Sequence, residues 1–316
     1  MNKPIRVAIV LVAFFWTIAA AAGSPQQIIP IVDLTPSFFA AIDPTTGSIA
    51  MRLERFKEDE LYPNEELFDE PYFALSDPHL AWYFERLGSS RADLQSFTLS
   101  LKKELPRYEA TFEGAFPKFD PQSLTIYLMP GFGSFDGMTR DIAGKHGLLI
   151  GVDNLEAERS TVPVFLTHEL FHIYHHEINP TFFLTSSEDD LYRYGLYREL
   201  WAEGMATYVS QKLNPGTTLQ QALFSKSLAS LSPADSRKLA CLLERALDST
   251  NENDSALFFD GGVHPDGLPA RGGYFIGYEI ATQLGASRTL AELADLRGDD
   301  LRHDIGSGVR ALCSPP

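Results

Sequence analysis

Cysteine is almost absent: Cys241 and Cys313 are the only two in 316 residues, and neither sits in a spacing that holds zinc or runs redox chemistry. In an oxidising compartment they could form one bridge that ties the C-terminus down, and two separate buried thiols would give the same count. Positive charge is also scarce. Lys and Arg number 26 against 42 Asp and Glu, for a net charge of −16. That balance argues against nucleic acid or an anionic membrane as a partner, because affinity for either comes largely from cations set against phosphates. There is no internal repeat, no long low-complexity linker and, beyond the first residues, no long apolar run. The glycine-rich stretch PGFGSFDGMTRDIAGKHG, residues 130–147, lacks the Lys-Ser/Thr ending of a phosphate-binding loop and reads as a turn or a flap over a cleft.

What is present points to a globular protein: 44% of residues are hydrophobic and 12% aromatic, enough to bury a sizeable core. At the N-terminus, Lys3 and Arg6 precede an apolar run from Val7 to Ile18, then four alanines before Gly23. This is the order of a secretory signal peptide, with cleavage expected after Ala22. The run is short of the roughly 20 apolar residues that a spanning helix needs, so no stable membrane insertion is expected after cleavage. Loss of Lys3 and Arg6 takes the charge from −16 to −18. The expectation is an exported protein, periplasmic or secreted. After residues 1–22, a region 23–145 is expected to wrap a core region 146–316, with which it could form one domain.

Alternation predicts strands at residues 123–130, SLTIYLMP, and 147–153, GLLIGVD. Helical spacing of apolar residues predicts helices over 81–87, 93–112, 161–177, 190–213, 219–231, 234–247, 273–284 and 299–312. Ser160 and Ser232-Pro233 read as helix starts, and Asn214-Pro215-Gly216 as a stop. The fold class is α+β, mainly helical with a small sheet.

The stretch FLTHELFHIYHHEINP, residues 165–180, concentrates the chemistry. On a helix, residues four apart share a face, so His168 and His172 can present two imidazoles to one cation, with Glu169 beside them. This is the HExxH pattern. A catalytic zinc takes three protein ligands and keeps one position for water, whose pKa it lowers toward about 7, so that a carboxylate can take its proton. His175 and His176, on the next turn, read as solvated or supporting residues. The third ligand is sought in YRELWAEGMATYVSQ, residues 197–211. Glu203, set among Trp201, Gly204 and Ala206, fits best, since small neighbours allow close helix approach and a charge among apolar residues wants a partner. Glu199, one turn earlier, is the alternative.

HELFH followed by WAEGMATY resembles the gluzincin metallopeptidases, and GGYFIGYEIATQL, residues 272–284, resembles the Tyr-x-x-Gly helix of their aminopeptidase-like branch. The resemblance covers residues 147–284. It implies a gluzincin-like core, zinc held by His168, His172 and Glu203, Glu169 as the proton-handling group, and Tyr274 as the oxyanion donor, with Tyr278 as the neighbouring alternative. His264 is a weaker oxyanion candidate. It also implies that GLLIGVD is an edge strand able to pair with a peptide or protein substrate. The gap from His172 to Glu203 is longer than in typical aminopeptidases, and no GxMEN-like stretch is present to hold a free amino terminus. The metzincin pattern is excluded, since His175 and Ile178 stand where it wants Gly and His. The chain is most similar to the small predicted zinc-dependent protease families. A metallohydrolase for a non-peptide bond or a single partner, or an inactive helical interaction protein, are the alternative functions; the oligomeric state stays open.

Overall fold

The computed structural model describes residues 29–68, 73–157, 159–180, 195–262 and 264–314. The signal peptide expected over residues 1–22 and the start of the helix expected over 190–213 lie outside the described residues. A four-stranded sheet is built from β1 (Ile31–Asp33), β2 (Leu124–Met129), β3 (Gly137–Ile142) and β4 (Lys145–Gly151), in the order β1-β2-β4-β3. The first three in that order run parallel, with Ile126 opposite Ile31 and Leu148. β3 is antiparallel to β4, with Thr139 opposite Leu148.

GLLIGVD is therefore not an edge strand. It is covered on one side by β2 and on the other by β3, and residues Gly147 to Gly151 are buried. The reason is a hairpin that the glycine-rich stretch conceals. Ala143 and Gly144 both take positive φ, 49° and 79°, as a two-residue hairpin turn requires. This turn folds Gly137–Ile142 back along β4, so what reads as a flap supplies the edge strand instead.

Among the described residues, the α-helices of at least seven residues that come before β2 are α1 (Thr35–Ala41), α2 (Ile49–Phe56), α3 (Asp77–Leu87) and α4 (Arg91–Ala115). Those that follow the sheet are α5 (Val162–Ile178), α6 (Tyr197–Leu213), α7 (Pro233–Ala246), α8 (Glu252–Phe259), α9 (Gly272–Leu284) and α10 (Gly298–Cys313). One apolar core runs through them all, from Ile29 to Val309, with Phe116 and Phe171 joining α4 to α5 at a ring separation of 5.6 Å. Ser232 caps α7 by accepting from Asp235 N at 3.1 Å, and Asn214 ends α6, as their sequence signals require. The segment 219–231 departs from expectation. It forms two short helices, Leu219–Ala222 and Lys226–Ala229, because Phe224 takes a left-handed φ of 48° and the chain starts afresh on a Ser225 cap.

Cys241 on α7 and Cys313 at the end of α10 are bridged, with Cα atoms 4.7 Å apart. The bridge closes a loop of 72 residues, which on chain-entropy grounds is worth about 4 kcal/mol. Thiol labelling of the denatured, unreduced protein should find no free cysteine, and a Cys241→Ser, Cys313→Ser double variant should unfold at lower temperature. A double variant as stable as the parent would refute the contribution.

Glu109 on α4 is buried, and its Oε1 accepts from Ile29 N at 2.9 Å. Burial raises its pKa from the usual 4.5 to about 7, more than the Ile29 hydrogen bond lowers it. The folded chain therefore keeps this proton to higher pH than the unfolded chain does. The stability it contributes is complete below about pH 4.5 and is lost as pH rises toward 7. Thermal unfolding of wild type and Glu109→Gln across this window should differ with that slope, the wild type losing ground toward neutrality. A constant difference would defeat the assignment.

Candidate metal centre

Helix α5 presents the HELFH segment to the inside of a cleft, and α6 returns antiparallel to it. Asn214, at the end of α6, fixes that pairing: its Nδ2 donates to Pro163 O at 3.2 Å and to Thr167 Oγ1 at 3.0 Å near the start of α5. His168, next to Thr167, and His172, one turn further on, point their Nε2 atoms at each other, 3.0 Å apart. Glu203 of α6 completes a triangle, with Oε2 3.3 Å from His168 Nε2 and 3.4 Å from His172 Nε2. Among the described residues these form the one group of three or more His, Cys, Asp or Glu whose ligand atoms lie close enough to share an ion.

The donor set fits zinc. Bonds of about 2.0–2.1 Å in a tetrahedron place ligand atoms about 3.3–3.4 Å apart, against the 3.0, 3.3 and 3.4 Å found here. Glu203 Oε2 and His168 Nδ1 are buried without a hydrogen bond, and an uncompensated carboxylate oxygen is costly away from water. The electrostatics ask for a cation at the centre. Burial opposes charge on His172, yet Glu203 beside it outweighs burial and carries its pKa up to about 9. Burial likewise opposes charge on Glu203, and the two imidazoles overcome it and hold the carboxyl well below the usual range.

Glu169 stands beside the triangle and lines the cleft on both sides of it. Burial pushes its carboxyl up, with Glu203 adding to the effect. The Tyr274 ring on α9 lies parallel to the His168 ring, with centroids 6.3 Å apart and 6° between planes. Tyr278 is not at the cleft: its hydroxyl donates to Gln211 Oε1 at 2.6 Å. Glu199 does line the cleft, but its carboxylate accepts from Ser255 and stays out of the ligand triangle. His264 is buried in its own loop, with Nδ1 accepting from Asp266 N at 3.1 Å, and does not line the cleft. His175 is not solvated. It lies fully buried beside Phe171, where loss of water drives its pKa down to about 3. His176 faces the cleft beside His146, whose Nδ1 is 2.7 Å from Asp141 Oδ1.

The cleft has two lobes that meet at His168, Glu169 and Tyr274. The first, about 560 Å³, takes in Thr139–Asp141 of β3, Arg198 and His176; the second, about 660 Å³, takes in Phe165, Phe224, Lys226 and Arg271. Neither the edge strand nor Arg271 was visible as a site element in the sequence. Only the pair of glycines after Arg271 hinted at a tight approach there.

A profile of the family described as "Putative zinc dependent peptidase (DUF5700)" matches residues 64–302. The chain belongs to that family. The match takes in β2 to β4, both ligand-bearing helices and Tyr274. No curated protein and no solved structure matches the chain.

The helix carrying Glu203 and the helix carrying Tyr274 cross at two glycines. A Cβ on Gly277 would lie 2.8 Å from the Gly204 Cα, and one on Gly204 would overlap the Gly277 backbone. The glycine beside Glu203 thus makes its backbone contact with α9, while α6 also packs against the histidine helix, as the small residues around Glu203 suggested. Gly277→Ala should force the helices apart at a cost of roughly 1–3 kcal/mol, as overpacking does, and weaken metal retention because Glu203 is next to the crossing. Melting temperature and bound zinc, measured together, check this; an unchanged variant would mean the crossing does not set the site.

Proposed function

We propose that this chain is an exported zinc-dependent peptidase of gluzincin type, in which His168, His172 and Glu203 hold the metal. The observation that carries the reading is the triangle of three donor atoms with tetrahedral edge lengths, supported by membership of a zinc-dependent peptidase family. Zinc bound there would supply a Lewis acid that lowers the pKa of a water and polarises a carbonyl. Glu169, at the meeting point of both lobes, takes the water's proton and hands it to the leaving amine. Burial that raises its pKa suits a carboxylate that must hold a proton between those two steps. The Tyr274 hydroxyl donates to the oxyanion as the carbonyl carbon becomes tetrahedral.

An extended peptide or protein segment would lie along β3, the edge strand lining the first lobe, and exchange main-chain hydrogen bonds with it. The region 23–145, which contributes β1 to β3, shapes that rim, and 146–316 carries the chemistry. Export rests on the N-terminal charged, apolar and small-residue order. Among the described residues no helix is long and apolar enough to cross a membrane.

Three variants separate the roles. Mature protein should carry about one zinc per chain. Glu203→Gln should lose zinc and activity together. Glu169→Gln should keep zinc and the fold while losing ~10²–10⁴-fold in turnover, and Tyr274→Phe should keep zinc and slow the reaction by about 10²–10³-fold. The measurements are bound metal and hydrolysis of a mixed peptide library. Metal-free wild type purified without chelator, or a fully active Glu169→Gln, would overturn the reading.

A further inference from the structure

The second lobe holds two cations that the metal centre does not use. Arg271 is the residue immediately before α9 and takes a left-handed φ of 55°, a conformation that side-chain-bearing residues seldom adopt. Its guanidinium carbon stands 5.5 Å from the centroid of the Tyr274 ring. Lys226, the first residue of the short helix after Phe224, lines the same lobe. Among the described residues neither side chain has an ion pair or a hydrogen bond, in a chain where Lys57, Lys102, Arg288 and Arg302 are all paired with carboxylates. The lobe's own acids, Asp136 and Glu169, belong to the side nearer β3 and the metal centre. Arg198 in the first lobe is different, since that lobe's lining also includes Asp141, Glu199 and Glu203.

We infer that Arg271, assisted by Lys226, is a carboxylate-binding subsite that selects substrates bearing a negative charge on the Tyr274 side of the scissile bond. Arg271 is a half-buried residue whose guanidinium sits over the Tyr274 ring, where hydration is reduced, and its planar fork matches a carboxylate's two oxygens. The backbone of Arg271 is held where the charge is useful: its N–H donates to Asp260 O at 3.2 Å, and its carbonyl accepts from Tyr274 N at 3.1 Å. The selecting residue and the proposed oxyanion donor are thereby one rigid turn, and a substrate anchored on the first is presented to the second. Two sources share this chemistry, the C-terminal carboxylate of a peptide and an Asp or Glu side chain within it.

This inference rests on the peptidase reading, so its test has an arm that does not need turnover. Three peptides serve as probes: N-acetyl-tetraalanine, its C-terminal amide, and the amide of N-acetyl-Ala-Ala-Glu-Ala. Calorimetric titration into zinc-loaded Glu169→Gln protein should give tighter binding of a charged peptide than of the neutral amide, by about 10-fold, the worth of one charge-assisted contact. Preference for the free acid identifies a terminal carboxylate, and preference for the Glu peptide identifies a side chain. With wild type, the same ratio should appear in kcat/KM, chiefly through KM. Adding Arg271→Gln should collapse the ratio toward one in both assays while zinc content stays, Arg271→Lys should restore part of it, and Lys226→Gln should lower it less. Equal binding of all three peptides, or a full preference retained by Arg271→Gln, overturns the subsite. If no peptide is hydrolysed but the charged ones still bind through Arg271, the peptidase reading falls and the carboxylate site stands.

Discussion

Glu203 keeps a carboxylate oxygen 3.3 and 3.4 Å from two imidazole nitrogens, away from water, and the layout of the C-terminal helices follows from that demand. An isolated charge there would cost several kcal/mol, so it must be met by cations held to within a fraction of an ångström. One helix cannot provide this. His168 and His172 come from α5, Glu203 from α6, and Tyr274 from α9, and two contacts fix these three rods. Asn214 pins the end of α6 to the start of α5, and the paired glycines let α6 and α9 touch backbone to backbone. The first sets the height of Glu203 along the histidine helix, the second the distance of Tyr274 from it.

The sheet serves the same centre from the other side. Three parallel strands make a wall in which β2 and β4 lie inside the sheet, Gly147 to Gly151 of β4 being buried, and the hairpin turn at Ala143-Gly144 adds β3 as the edge that runs along the cleft. The polar character of GMTRDI follows from its position. One face of an edge strand over a cleft is wet, so its exposed residues alternate with only partly buried ones.

Much of this was legible in the sequence, and the divide is physical. HELFH and WAEGMATY announced their geometry because helical spacing is local, and three or four residues decide a face. The helices expected over 161–177, 234–247, 273–284 and 299–312 are found within a residue or two of those bounds, because each carries a long amphipathic or apolar pattern, and Ser232 caps the second of them. The edge strand was misread, since strand pairing is decided by residues far away and a glycine-rich polar segment has no period of its own. His264, weighed as an oxyanion candidate, and His175, read as solvated or supporting, were hard to place for a related reason: burial of a lone His depends on what packs over it, here Phe258 and Phe171. The break at Phe224 and the turn at Arg271 needed backbone angles that no composition rule would assign to those residues.

The bridge between Cys241 and Cys313 has a topological side as well. The loop it closes contains α9, and with it Arg271 and Tyr274, whereas His168, His172 and Glu203 all lie upstream of it. A backbone cut anywhere between residues 242 and 312 would therefore leave two pieces still covalently joined. The exposed stretch at Gly261 and Gly262 and around Pro265 to Gly267 is the kind of surface loop where nicking enzymes act. A nick there would produce a two-chain protein in which the piece holding His168, His172 and Glu203 keeps its grip on the piece holding Tyr274. That is tolerance of damage written into the connectivity of the chain.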